Sequence, residues 1–197
     1  MTDHATLEMH REYCRVSDRD MIDEILRMTN VCSVAFHDEP FPYVIQMNYG
    51  YEWEGPARDQ LVFYMHFGMV GHKFDLIAAD PRVAVAAGVF LNRGGHRKFR
   101  NEPHDFRSVH GYGRAEVING ADERRWLVGI NAMLRRSGWP ELSVVTEKNK
   151  GRLQVLRVPC EFYTAKAQYA IDSPDIVQMP SVEDVDAGIP ADPFRTD

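Results

Sequence analysis

Hydrophobic and polar positions along the 197-residue chain change period several times. Ser17, with Asp20 three residues on, heads the run Met21, Ile22, Ile25, Leu26 and Met28, and this spacing predicts a capped amphipathic helix of about three turns. Val31 to Phe36 is a short apolar run, and from Tyr43 to Tyr51 Val44, Gln46 and Asn48 alternate with Ile45, Met47 and Tyr49, so the two segments predict a hairpin. A polar loop from Tyr51 to Asp59 precedes a strand from Leu61 to His66. Phe74 to Ala79 reads as a short helix stopped by Asp80-Pro81, and Arg82 to Leu91 as a strand rich in alanine and valine. After the polar, glycine-rich segment 92–105, Phe106 to Asn119 returns as a strand, with Gly111 and Gly113 marking a bulge or a backbone approached by ligand. Ala121 to Ser137 carries Trp126, Leu127, Ile130 and Leu134 at helical spacing before the stop at Gly138, and Arg152 to Val158 and Glu161 to Ala167 complete the sheet.

Successive strands joined by short loops predict a mainly β (α+β) fold, an antiparallel barrel with peripheral helices, and no GxGxxG follows a strand as a doubly wound dinucleotide site would require. Residues 1–171 are expected to form one domain. Beyond them, residues 172–197 hold seven acidic residues against one basic and four prolines, too little apolar material for a core of their own.

A net charge of -6 argues against a general nucleic-acid partner. Three widely spaced cysteines without CxxC spacing, no signal-peptide pattern and no apolar run long enough for a membrane helix lead to the expectation of a cytoplasmic protein with inert, packed thiols. The eight histidines show no HExxH or similar metal spacing. The basic run Arg93 to Arg100 is either a solvated hairpin tip or a clamp for an anionic substrate. Trp53, in its polar loop, is expected to wall a cofactor or a dimer contact.

The turn Gly71-His72-Lys73 is the strongest chemical signal. A strand that feeds a helix through glycine, with cations in the first turn, makes an anion site from backbone N–H groups and the helix dipole, and cations there otherwise oppose that dipole. A phosphate is the expected occupant.

Four segments in register, Phe41 to Tyr51, Leu61 to His66, Gly71 to Ile77 and Phe106 to Ala115, resemble the flavin-binding split-barrel superfamily, in its pyridoxamine-phosphate-oxidase-like branch that includes the nitroimidazole-resistance (Nim) proteins. The resemblance runs over about residues 10 to 167. It implies a homodimer with FMN at the subunit interface, its phosphate held by the turn after the third strand, which is Ser-Arg-Lys in the oxidases proper and Gly71-His72-Lys73 here. It further maps Gln46, Met47 and Asn48 along the isoalloxazine edge, Tyr64 and His66 onto the strand leading to the phosphate turn, and Arg107 and Ser108 to the phosphate side. His66 is the candidate for donating a proton or holding an anion. The acidic end of the chain replaces the aromatic, arginine-rich segment of the oxidases proper, which speaks against vitamin B6 as substrate. The function so implied is flavin-mediated reduction of a small acceptor such as a nitroaromatic, a quinone or a flavin, with NAD(P)H as a donor. Alternatives are a haem- or flavin-carrying sensor and a deazaflavin-dependent reductase.

Overall fold

The computed structural model describes Met9 and residues 12–91 and 105–167. The basic run Arg93 to Arg100 and the acidic segment 172–197 lie outside the described residues. Helix α1 (Arg19–Arg27) comes first, and its cap is Asp18, whose Oδ1 accepts the Met21 N–H at 3.0 Å; the Ser17 predicted for that role lies one residue too early. Strands β1 (Val31–Phe36), β2 (Tyr43–Glu54) and β3 (Gln60–Phe67) follow. Helix α2 (His72–Ala79), strands β4 (Arg82–Leu91), β5 (Asp105–Arg114) and β6 (Glu116–Ile118), helices α3 (Glu123–Arg136) and α4 (Glu147–Lys150), and strand β7 (Gln154–Ala167) complete the order.

The sheet runs β3-β2-β1-β4-β5-β7-β6, and a further β3–β7 pairing closes six of the strands into an antiparallel barrel with β6 as an extra strand. Closure covers most of the edges that an open sheet would expose. The barrel interior takes alternate residues of each strand, among them Leu61, Phe63 and Met65 of β3, Val109 of β5 and Leu156 and Val158 of β7, all fully buried. Outside, α3 covers β2, β3 and β7 with Trp126, Ile130 and Met133, which share a second core with Val62, Tyr64 and Val155. The helix can come that close because β2 carries Gly50: a Cβ there would lie 2.3 Å from the Ala132 carbonyl carbon.

Several predicted boundaries move, and the strand expected from Phe106 to Asn119 breaks at Ala115 into β5 and β6, both of which pair with β7. The polar loop at 51–59 shrinks, because β2 continues to Glu54 and Trp53 is buried on it, its indole donating to Asp23 at 2.7 Å and its ring edge-on to Tyr163. The two strands expected around Pro159-Cys160 are one. β7 runs through the proline and carries one residue more than β5 just after it: Tyr112 pairs with Phe162 and Gly113 with Cys160, so Glu161 is the extra residue of a bulge. The bulge that Gly111 and Gly113 predict is thus carried by the facing strand β7, and the glycine is needed for close approach: a Cβ on Gly113 would meet the Pro159 carbonyl oxygen at 2.1 Å. All three cysteines are buried and free, and burial pushes the Cys32 and Cys160 thiols up to about 12, so they pack as inert side chains. Among the described residues no helix is long and apolar enough to cross a membrane.

Candidate functional site

No single neighbour uses all of β2. Residues 43–48 pair with β1, residues 49–54 with β3, and the β3 ladder ends at Tyr49↔Met65. The Tyr49 N–H points to Asn30 O on the β1 side, at 3.2 Å. Peptide groups alternate along a strand, so those of Val44 and Gln46 turn the other way, to the side where β3 has already left. The split between β2 and β3 thus exposes a row of backbone donors and acceptors.

A groove of about 650 Å³ opens over this bare edge. Gln46, Met47 and Asn48 form its floor, His66 and Phe67 at the end of β3 one side, Met133 and Leu134 of α3 and Trp139 the other, and Lys73 one end. Five of the ten residues expected at a cofactor site, Gln46, Met47, Asn48, His66 and Lys73, therefore meet in one place. Apolar walls, a polar floor and one cation suit a flat heteroaromatic ring with an anionic tail. His66 is exposed on its groove side, yet the protein around it desolvates the imidazole and lowers its pKa from 6.5, favouring the neutral ring.

Gly71 precedes α2 with φ of 139°, a conformation open to glycine, and offers no side chain to cap the helix. The amides of His72 and Lys73 consequently have no acceptor among the described residues, while Phe74 N–H returns to Gly71 O at 3.0 Å. The Lys73 ammonium rests above the Phe67 ring, 5.1 Å from its centroid, and has no carboxylate within ion-pair range among the described residues. Free amides, a helix N-terminus and an unneutralised ammonium fit a phosphate.

His72 points elsewhere. Its Nε2 lies 2.8 Å from Asp38 Oδ2, on the β1–β2 turn, and its ring meets Tyr43 edge-on at 5.5 Å. Asp38 is held below the usual carboxylate range by that hydrogen bond, so in this arrangement His72 buttresses the turn, and what it can give a phosphate is its backbone amide.

Three expected site residues stand apart from the groove. Tyr64 shares the outward face of β3 with His66, but α3 covers it: it is 2% exposed, and its hydroxyl donates to Glu54 in a network that joins Arg157 to Glu54 at 2.6 Å and to Glu116 at 2.8 Å. Burial and the bond to Glu54 raise its pKa. Arg107 is fully buried on β5, with Nη1 donating to Phe106 O at 3.0 Å. Ser108, its neighbour, turns outward between Gly88 of β4 and Lys166 of β7. β5 lies three strands from β2 in either direction around the barrel. Within one chain, neither residue belongs to the groove.

Residues 18–167 match the sequence family described as pyridoxamine 5'-phosphate oxidase. The chain belongs to the pyridoxamine 5'-phosphate oxidase family. No curated protein matches the chain. Among solved structures, a candidate 5-nitroimidazole antibiotic resistance protein from Bacteroides thetaiotaomicron superposes with a TM-score of 0.58 at 24% identity, over 78% of this chain and 86% of that one. The flavocytochrome Anf3 from Azotobacter vinelandii gives 0.60 at 18%, over 94% and 80%. An FAD and haem binding protein from Mycobacterium smegmatis gives 0.55 at 18%, over 88% and 80%. At these identities the likeness is one of fold.

For this member of the pyridoxamine 5'-phosphate oxidase family, the sequence left Tyr43, Trp139 and Asp38 out of the site. Tyr43 could have been found, since it alternates in phase with Ile45 and Met47 on β2. Trp139 and Asp38 carry no local pattern, because a helix end and a turn bring them to the groove and to α2.

Proposed function

We propose that the chain binds FMN in the groove at the β2–β3 split and works as a flavin-dependent oxidoreductase on a small acceptor, in the manner its Nim-like sequence segments suggest. The observation that carries this reading is the convergence of Gln46, Met47, Asn48, His66 and Lys73 on one groove floored by an unpaired strand edge. When bound, the flavin supplies the redox chemistry, accepting a hydride from a donor such as NAD(P)H and passing electrons on. The protein's part is placement. Backbone groups of Val44 and Gln46 offer hydrogen bonds to the ring edge, Lys73 and the α2 amides hold the phosphate, and Met47, Met133 and Leu134 keep water from the ring. His66, neutral near pH 7, is placed to hydrogen-bond to a bound acceptor through its ring N–H and to pass a proton to it as electrons arrive.

The reading includes a homodimer. Ser108 faces outward across the barrel from β2, so it reaches a groove when a second chain presents it. Val44 on the floor strand and Val70 before the phosphate turn are 56% and 84% exposed, apolar surface that a partner would cover.

A second reading, haem in the same groove, is favoured by one observation: His66 is a desolvated, neutral imidazole on the groove wall, as an axial ligand must be. The flavocytochrome and the FAD and haem binding protein of the same fold lend it interest. The absorption spectrum of freshly purified protein separates the two, followed on the supernatant after heating and on addition of NADPH without oxygen. Paired flavin bands that appear in the supernatant and bleach with NADPH support the proposal. A Soret band lost in His66→Ala supports haem, and a protein that stays colourless after addition of FMN overturns the flavin reading.

A further inference from the structure

Five arginines, Arg19, Arg27, Arg58, Arg135 and Arg136, line a second cleft of about 390 Å³ where α1, the β2–β3 turn and α3 meet. Two carboxylates, Asp23 and Glu52, line it with them. This concentration of positive charge stands in a chain of net charge -6, so it is not a background of basic surface.

The partners of each guanidinium show how much of that charge is unmet. Arg135 is matched, by Glu52 and by Glu141 at 2.8 Å. Arg27 comes within 4.0 Å of Asp23 Oδ2, and the other oxygen of Asp23 is taken by the Trp53 indole at 2.7 Å. Arg19, Arg58 and Arg136 have no carboxylate in ion-pair range among the described residues. Yet two of these three are held in place. Arg19 lies over the Trp53 ring at 4.9 Å and donates to Arg58 O at 3.1 Å. Arg136 donates to Leu26 O at 2.6 Å and to Thr29 O, while its Nε is buried without an acceptor. Cations fixed this close together repel one another unless an anion joins them.

We propose that this cleft is a binding site for a small phosphate ester or pyrophosphate, separate from the groove at the β2–β3 split. Guanidinium forks match phosphate oxygens two at a time, and unmet donors from α1, the β2–β3 turn and α3 surround a volume suited to a small ligand. The two sites lie on different faces of α3, which gives Ile130, Met133 and Leu134 to the groove and Ala132, Arg135 and Arg136 to the cleft.

Calorimetric titration of the full-length protein with inorganic pyrophosphate, at ~0.15 M salt to screen surface charge, tests the assignment. The variant Arg27→Ala/Arg58→Ala is the informative one, because both side chains are exposed and neither is needed for packing. Lys73→Ala is the control for the α2 turn. The expected result is at least one equivalent bound per chain that weakens about tenfold or more in the double variant, the loss of one hydrogen bond to a charged group being enough for that, and that persists in Lys73→Ala, where the α2 turn has lost its cation. Absence of binding by the wild type, an unchanged double variant, or an equal loss in Lys73→Ala would each overturn the proposal. Coincident thermal melts of the three proteins show that the fold is kept.

Discussion

His66 faces the groove from β3, and His110 lies on β5. Desolvation lowers the pKa of His66, and desolvation followed by the nearby Lys166 charge lowers that of His110 on β5. For a histidine with a depressed folded pKa, the unfolded chain binds more protons at mildly acid pH. The stabilisation from keeping these rings neutral is thus complete above their ordinary 6.5 and lost as pH falls through 6.5 toward the folded values. Urea midpoints should drop between about pH 7.5 and pH 5.5, and drop less in His66→Gln; an identical pH dependence in the variant would remove His66 from the explanation. Tyr64 shows the limit of residue-level reading. Strand periodicity puts it on the same face as His66, and nothing in Leu61 to His66 says that α3 covers the one and leaves the other open.

At the scale of elements, the sequence was informative wherever side-chain pattern was the signal. β1 and β4 have the bounds that their apolar, β-branched and alanine-rich runs predict, and α3, predicted from helical spacing, lies inside its predicted span. What period cannot show is partner exchange. β2 spends its first half on β1 and its second on β3, and the groove exists because of that exchange. The sequence offered one indirect trace of this geometry, Gly50, two residues into the half that pairs with β3 and directly beneath α3. A methyl group there would collide with backbone, not with a side chain that can move away. Gly50→Ala should therefore destabilise the protein by about 1–3 kcal/mol, the range for overpacking, read as a lower urea midpoint with unchanged slope. Wild-type stability would show that α3 can lift from the barrel. The Glu54–Arg157–Glu116 network under the same helix is a second test. Burial raises the Glu54 pKa, but the bonds from Arg157 and Tyr64 outweigh it and the net shift is downward. Glu54→Gln should accordingly lose about 1–3 kcal/mol at neutral pH, whereas an unchanged midpoint would mean that Glu116 alone satisfies Arg157.

For the whole molecule, the family and the barrel were legible because four separated segments kept their order and spacing, and the match of residues 18–167 to the family agrees with them. The assembly of the site was less legible. Gln46, Met47, Asn48, His66 and Lys73 meet within one chain, while Arg107 and Ser108 stand across the barrel, where one subunit cannot bring them to the groove. If two chains share the site, sedimentation should give twice the 22.6 kDa chain mass, and Val44→Lys, which places charge on the floor strand's exposed face, should shift the protein toward monomer and weaken flavin binding together. A monomeric wild type that binds FMN would refute the shared site. The central claim, that the split holds FMN with its phosphate on the Gly71-His72-Lys73 turn, is tested most directly by fluorescence titration of FMN and riboflavin into wild type and Lys73→Ala. The account predicts that wild type prefers FMN and that Lys73→Ala loses about 1.5–3 kcal/mol of FMN affinity with riboflavin binding unchanged; equal affinity of wild type for the two flavins, or an unaltered FMN affinity in the variant, would contradict it.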